Sequence, residues 1–353
     1  MPGKRRGRRR GIRPRGKMAT RKAKSSNVES IRDEATPGPT MPCKRPRCCK
    51  CKGIRQQTER TTEEARSSAQ ETTREESIPG PSKVSGQTGR WELFREIEVK
   101  EPNGIYRAIA ARDDEIAVVE ANRANRVAIF SNDGEQRSTI QFHRNPTCIA
   151  YDPIHSRLVV GEYDDPKIKV LNRNNTLAYA FQTAPPTETA EHPSEHKLVA
   201  VKKDGAILVF FNTRCVCTEH KPSDGAHIRT IPVNYRPYCI AVDSKDRVIM
   251  SSFVAGLVDV TDGYGATLLT IKPQIDGSPV LNCMAVFADT SGIYVGGKRF
   301  KWPYDAHIHH YDLDGRFLDC LAQGLYNPFD MTLTSDGKLA VADYKSVKMY
   351  RKV

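Results

Sequence analysis

Lys298-Arg-Phe-Lys-Trp-Pro-Tyr304 is the densest interleaving of cations and aromatic rings in this chain of 353 residues. Cations meet phosphates or carboxylates, while rings stack on bases or anchor protein contacts. The same chemistry recurs at Tyr106-Arg107, at Arg123 and Arg126, and at Phe142-His143-Arg144. It returns at Tyr235-Arg236 with Tyr238, and at Tyr326 with Tyr344-Lys345, while Lys167, Arg214, Lys298, Arg299, Phe300, Lys301, Trp302 and Tyr304 complete the set. Such side chains suit single-stranded RNA or an acidic peptide, and some of them should simply pack between structural units. The neighbouring Glu101, Asp164 and Asp165 count against RNA.

Metal chemistry has two footholds. Cys43, Cys48, Cys49 and Cys51 could hold one zinc ion, carry palmitate beside their basic neighbours, or stay as reduced surface thiols. One cluster cannot build a two-zinc RING. His307-Ile-His309-His310 puts two imidazoles on one face of a strand, without a third ligand evident nearby. No glycine-rich phosphate loop or serine-nucleophile elbow appears, so no catalytic residue is assigned and no cofactor is expected. Cys148, Cys239 and Cys283 recur at one repeat position, which reads as core packing, as do Cys215 and Cys217.

The elements that must position these residues form a repeat. Short apolar strand, turn and second apolar strand recur six times, with equivalent positions at Ile109, Ile149, Val199, Ile240, Met284 and Met331. Third strands follow, as in Arg126–Phe130 and Lys167–Leu171, then Asp133-Gly134, Asp224-Gly225 or Asp314-Gly315, dipeptides suited to type I′ hairpins. A fourth strand such as Arg316–Leu321 completes the unit. Four antiparallel strands every 40–50 residues describe a propeller blade. The expected fold is all-β, a six-bladed propeller spanning 91–353. Its last unit ends after three strands, so a strand at 92–99 is expected to close the ring. The loops joining second to third strands, and the links between blades, should then gather the cations and rings on one face.

Charge divides the chain. Residues 1–90 hold 24 basic and 9 acidic side chains and no aromatic, leaving 31 basic and 33 acidic in 91–353. Such a composition cannot bury enough apolar surface to offset its own ordering entropy. A disordered basic arm is therefore expected over 1–55 and a disordered linker over 56–90. The run Lys4–Arg10 and the basic residues through Lys24 suit nuclear import or sequence-blind phosphate binding. No apolar run reaches the ~18 residues of a membrane span, and no secretory signal is present. An intracellular protein of cytoplasm or nucleus is expected, with its cysteines reduced.

Asn145-Pro146 and Asn327-Pro328 open two of the units, Glu120…Asn125-Arg126-Val127 follows a second strand, and Asp343 ends another. At these residues the chain resembles the NHL-repeat propellers that end tripartite-motif (TRIM) proteins. Pro102-Asn103-Gly104 and Tyr235–Tyr238 are looser versions of the blade opening. The resemblance implies a recognition module for a protein or RNA partner, recruiting substrates for ubiquitination or acting in post-transcriptional regulation, with ligase activity supplied by other subunits. A WD40 propeller is set aside because Trp91 and Trp302 precede Glu92 and Pro303. The rival readings are a metal-dependent lactonase or lyase propeller and a passive scaffold.

Overall fold

The computed structural model describes residues 90–100, 104–122, 124–183, 196–211, 215–299 and 305–353. The expectations for 1–55, for nearly all of 56–90, and for Cys43, Cys48, Cys49 and Cys51 lie outside them. The described chain is all-β and forms six four-stranded antiparallel blades. Blade one comprises Ile105–Arg112, Glu115–Ala121, Arg126–Ser131 and Gln136–Gln141. Blade two comprises Pro146–Asp152, Arg157–Glu162, Lys167–Leu171 and Leu177–Gln182. Lys197–Val201, Ile207–Phe211, Val216–His220 and His227–Pro232 make blade three. Ile240–Val242, Val248–Ser252, Leu257–Thr261 and Thr267–Ile271 make blade four. Blade five holds Asn282–Ala288, Ile293–Lys298, Ala306–Tyr311 and Phe317–Leu325. Blade six holds Pro328–Leu333, Leu339–Asp343 and Ser346–Lys352, and its fourth strand is Trp91–Glu98 from the start of the domain.

Burial explains the pattern strand by strand. Second strands lie between neighbouring blades and are covered on both faces, so they read as unbroken apolar runs. Ile116, Ala117, Val118 and Val119 are all fully buried, as are Leu158, Val159 and Val160. Fourth strands face solvent, and Gln136–Gln141 is correspondingly polar and exposed. First strands of successive blades contact one another all round the ring, including blade six with blade one. The ring is closed.

The Asp-Gly turns differ from the two-residue form expected. Gly134, Gly225 and Gly315 have φ of +81°, +74° and +80°, but their aspartate neighbours stay out of the left-handed region. Asp312 instead organises one loop: its carboxylate accepts from the Asp314 and Arg316 amides at 2.9 and 2.8 Å. Gly315 donates to the Asp312 carbonyl at 3.0 Å, while the strands pair with an irregular register before Tyr311. This is a longer turn in which glycine takes the bulged position.

Second strands also end on buried acids. Asp343 accepts from the amides of Tyr326 and Asn327 at 2.9 and 2.6 Å and from Lys348 at 2.8 Å. Glu120 sits correspondingly in blade one, paired with Arg126 at 2.6 Å, and Glu162 in blade two, paired with Lys169. The acid therefore ties the second strand to the third in three blades.

Gly292 illustrates how tightly the turns sit on the sheets. Its φ is +151°, and an added Cβ would lie 2.0 Å from the Tyr311 carbonyl oxygen. Gly292→Ala is expected to lower stability by about 2–3 kcal/mol through backbone strain and overlap. An unchanged urea midpoint would contradict this close approach.

Candidate partner-binding face

The six first strands surround a central cavity of about 590 Å³. Its mouth on the side where those strands begin is built by Arg107, Thr147, His196, Lys197, Tyr238 and Phe329. Arg107 is part-buried, and among the described residues its guanidinium has no ion pair or hydrogen bond. It lies close enough to His196, Tyr238 and Cys148 to influence the ionisation of all three. Burial pushes the His196 imidazole below its ordinary value, helped by the charges of Arg107 and Lys197. That ring is neutral at physiological pH, and its buried Nδ1 has no hydrogen-bond partner among the described residues. The Tyr238 hydroxyl is pushed up to about 12 by burial against the opposing pull of Arg107. Tyr238 also stacks on Phe253 at 5.1 Å.

An aromatic ridge leads away from this mouth along blade six. Tyr344 adopts φ +55° in the tight turn after Asp343, a left-handed conformation unusual for an aromatic residue. Its ring lies 5.3 Å from exposed Tyr326 and 6.1 Å from Phe329. The structure thus brings Arg107, Tyr238, Tyr326 and Tyr344 to one end of the ring.

Other expected site residues are engaged inside the protein. Arg126 pairs with Glu120, and Tyr235 is half-buried with its hydroxyl donating to the Met250 carbonyl at 2.8 Å. Lys298 is buried and donates to the Asn327 side chain at 2.5 Å. Arg299 pairs with Asp276 at 2.7 Å and with Asp305 at 3.7 Å. Arg144 donates to the Asp164 carbonyl and Lys345 to the Gly104 carbonyl at 2.7 Å, and Lys197, which was not among the expected residues, donates to the Asp165 carbonyl. Arg236 is exposed on the link between blades three and four. Phe142 and Tyr106 are buried, while His143 and Lys167 are exposed. Arg123, Arg214, Phe300, Lys301, Trp302 and Tyr304 lie outside the described residues.

Asp330 was not anticipated. It projects from blade six at the channel wall, where its Oδ2 accepts from the Ile109 amide of blade one at 3.0 Å. Its Oδ1 accepts from the Met331 amide at 2.9 Å and lies 3.6 Å from the Cys239 sulfur of blade four. Burial raises its pKa to about 7, against the lowering effect of those donors. Cys239 is therefore more than packing, whereas Cys148 and Cys283 are buried thiols pushed up to about 11 and 12. Thiols raised in this way are poor nucleophiles. The signal for Asp330 was a lone acid inside the apolar stretch Phe329–Leu333.

The histidine pair sits on the third strand of blade five, remote from the channel wall. His307 and His309 share one face, and Cys320 on the fourth strand joins them. His310 faces the other way and stacks on Tyr294 at 4.4 Å. Burial, followed by the charge of His307, takes His309 down to about 4. Among the described residues this is the only cluster of three or more metal-ligating side chains, and none lines the channel. No helix in these residues is long and apolar enough to cross a membrane.

No family model and no curated protein sequence matches the chain. Solved structures do. A streptogramin B lyase structure aligns over 74% of this chain and 98% of its own, with a TM-score of 0.53 and 10% identity. A protein of unknown function from Bacteroides caccae aligns over 63% of this chain and 82% of its own, with a TM-score of 0.50 and 14% identity. At such identities the likeness is one of fold, and the chain is a six-bladed β-propeller.

Proposed function

We propose that this propeller is a recognition module that takes an acidic segment of a partner protein at the channel mouth centred on Arg107. The observation that carries the reading is Arg107 itself, a part-buried cation without a partner among the described residues. A part-buried guanidinium already shielded from some of its water gives an incoming carboxylate a strong, charge-assisted contact there. The Tyr326–Tyr344 ridge supplies further aromatic contacts. The work of such a module would be TRIM-NHL-like: recruitment of substrates for ubiquitination or for post-transcriptional control, with catalysis supplied by other subunits.

RNA is less well supported. Tracking a phosphate backbone takes a row of available cations. Arg144, Lys197, Lys298, Arg299 and Lys345 are instead tied to carbonyls, an amide or carboxylates of the protein. A lyase-like reaction has no ligand cluster in the described channel wall to build on.

The test is selection of a displayed random-peptide library on the intact chain, alongside a random single-stranded RNA pool. Acidic peptides should be enriched, and Arg107→Ala should weaken them about tenfold or more, the loss of one charge-assisted contact. Arg316→Ala, an exposed turn residue of blade five, should leave binding unchanged. Peptide binding indifferent to Arg107→Ala would overturn the assignment. Enrichment of RNA through Arg107, without peptides, would change the ligand class.

A further inference from the structure

We propose that His307, His309 and Cys320 form a zinc site in the outer half of blade five. The two histidines alternate along one strand, and Cys320 lies directly across from His309 on the next. Their ligand atoms all lie within 4.8 Å of one another, and the Cys320 sulfur is 3.8 Å from His307 Nδ1. Two ligands at ordinary zinc distances of about 2.3 Å for sulfur and 2.0–2.1 Å for nitrogen, at a tetrahedral angle, stand about 3.6 Å apart. The Cys320–His307 separation already matches.

The surrounding groups also fit. His307 uses its other nitrogen, Nε2, to meet the Asp305 carboxylate at 3.1 Å, leaving Nδ1 directed at the cysteine. A carboxylate behind a ligating imidazole fixes its orientation and raises its basicity. Asp305 is in turn 3.7 Å from Arg299, which also holds Asp276. His309 is walled by Phe317 at 5.4 Å, edge to face, and is only 4% exposed. Register irregularities lie to either side of the His309–Cys320 and His310–Asp319 pairs, and as direct cross-strand partners His309 and Cys320 share a face.

Repetition provides an independent comparison. The cross-strand pair equivalent to His309 and Cys320 is Ala128–Thr139 in blade one and Lys169–Ala180 in blade two. It is Thr218–Thr230, Asp259–Thr270 and Lys348–Glu96 in blades three, four and six. Blade architecture therefore imposes neither histidine nor cysteine here. Two imidazoles and a thiol converge in one blade alone, leaving a fourth position for water.

The experiment is a cobalt(II) titration of the full chain with Cys43, Cys48, Cys49 and Cys51 changed to serine, so that the N-terminal thiols cannot contribute. About one equivalent should bind, with a thiolate charge-transfer band and the visible bands of tetrahedral cobalt, and zinc should displace it. Cys320→Ser should abolish the charge-transfer band, and His310→Ala, on the opposite face, should leave it intact. Asp305→Asn should weaken cobalt binding about tenfold or more, the usual effect of losing a carboxylate behind a ligand. This last variant also guards against misfolding of Cys320→Ser, provided its metal-free melting matches the parent. Absence of cobalt binding in the four-serine protein would overturn the proposal. So would a thiolate band that survives Cys320→Ser.

Discussion

Removal of residues 91–98 should leave a chain that aggregates and shows no cooperative melt. Trp91–Glu98 is the fourth strand of blade six, paired along its length from Trp91 opposite Lys352 to Glu98 opposite Ser346. Its part-buried Trp91 packs against the core shared by blades five and six, and Phe94 and Ile97 pack against the core shared by blades six and one. Arg95 lies against the turn at Gly134, and Lys100 just beyond donates to Gln136 at 3.0 Å. The strand thus fastens blade six to blade one. Fully burying one large apolar side chain is worth about 1.5–3 kcal/mol; these three are partly buried, so their loss removes roughly 2–5 kcal/mol of the ~5–15 kcal/mol by which a domain is stable. Deletion also bares the edge of Ser346–Lys352, a template for intermolecular pairing. Size-exclusion chromatography with a thermal melt checks this. A monomeric deletion variant melting near the parent temperature would show that the ring does not depend on this strand.

The blades were legible because burial on both faces forces residues such as Ile116–Val119 and Leu158–Val160 into continuous apolar runs. A repeat of such runs, with turns at regular intervals, leaves few architectures open. The site was only partly legible. A sequence shows that Lys197, Arg144 and Lys345 are cations, but each is satisfied by a backbone carbonyl of another segment. Backbone carbonyls leave no mark on residue type. Arg107 differs from them through what it fails to meet, which the sequence does not encode. Cys320 was missed for a related reason. Its approach to His307 and His309 depends on register irregularities in the fourth strand, whereas strict alternation was the only guide available.

Asp330 should make the propeller less stable as pH rises from about 4 through 7. Its folded pKa of about 7 lies above the ordinary aspartate value of 3.8, because the channel wall desolvates the carboxylate. Between those values the folded chain holds a proton that the unfolded chain has released. Stability therefore falls with rising pH across this window and levels off above it. About three units of difference correspond to roughly 4 kcal/mol in total, of which about 1 kcal/mol is lost between pH 6 and 8. His196, His220, His309 and His310 are all lowered, chiefly by burial, and act in the opposite direction below about pH 6.5. The informative quantity is thus the difference between the parent and Asp330→Asn, in which those histidine contributions cancel. Asparagine keeps one acceptor for the Ile109 amide and carries no charge, so its curve should lack the aspartate component. Urea melts at pH 4.5, 6 and 8 should show the parent losing ground to the variant by several kcal/mol over the series. Parallel curves would mean that Asp330 keeps an ordinary pKa, held charged by the Ile109 and Met331 amides. The carboxylate would then place a fixed negative charge in the channel that Arg107 also lines, and the mouth would be correspondingly less attractive to an acidic partner.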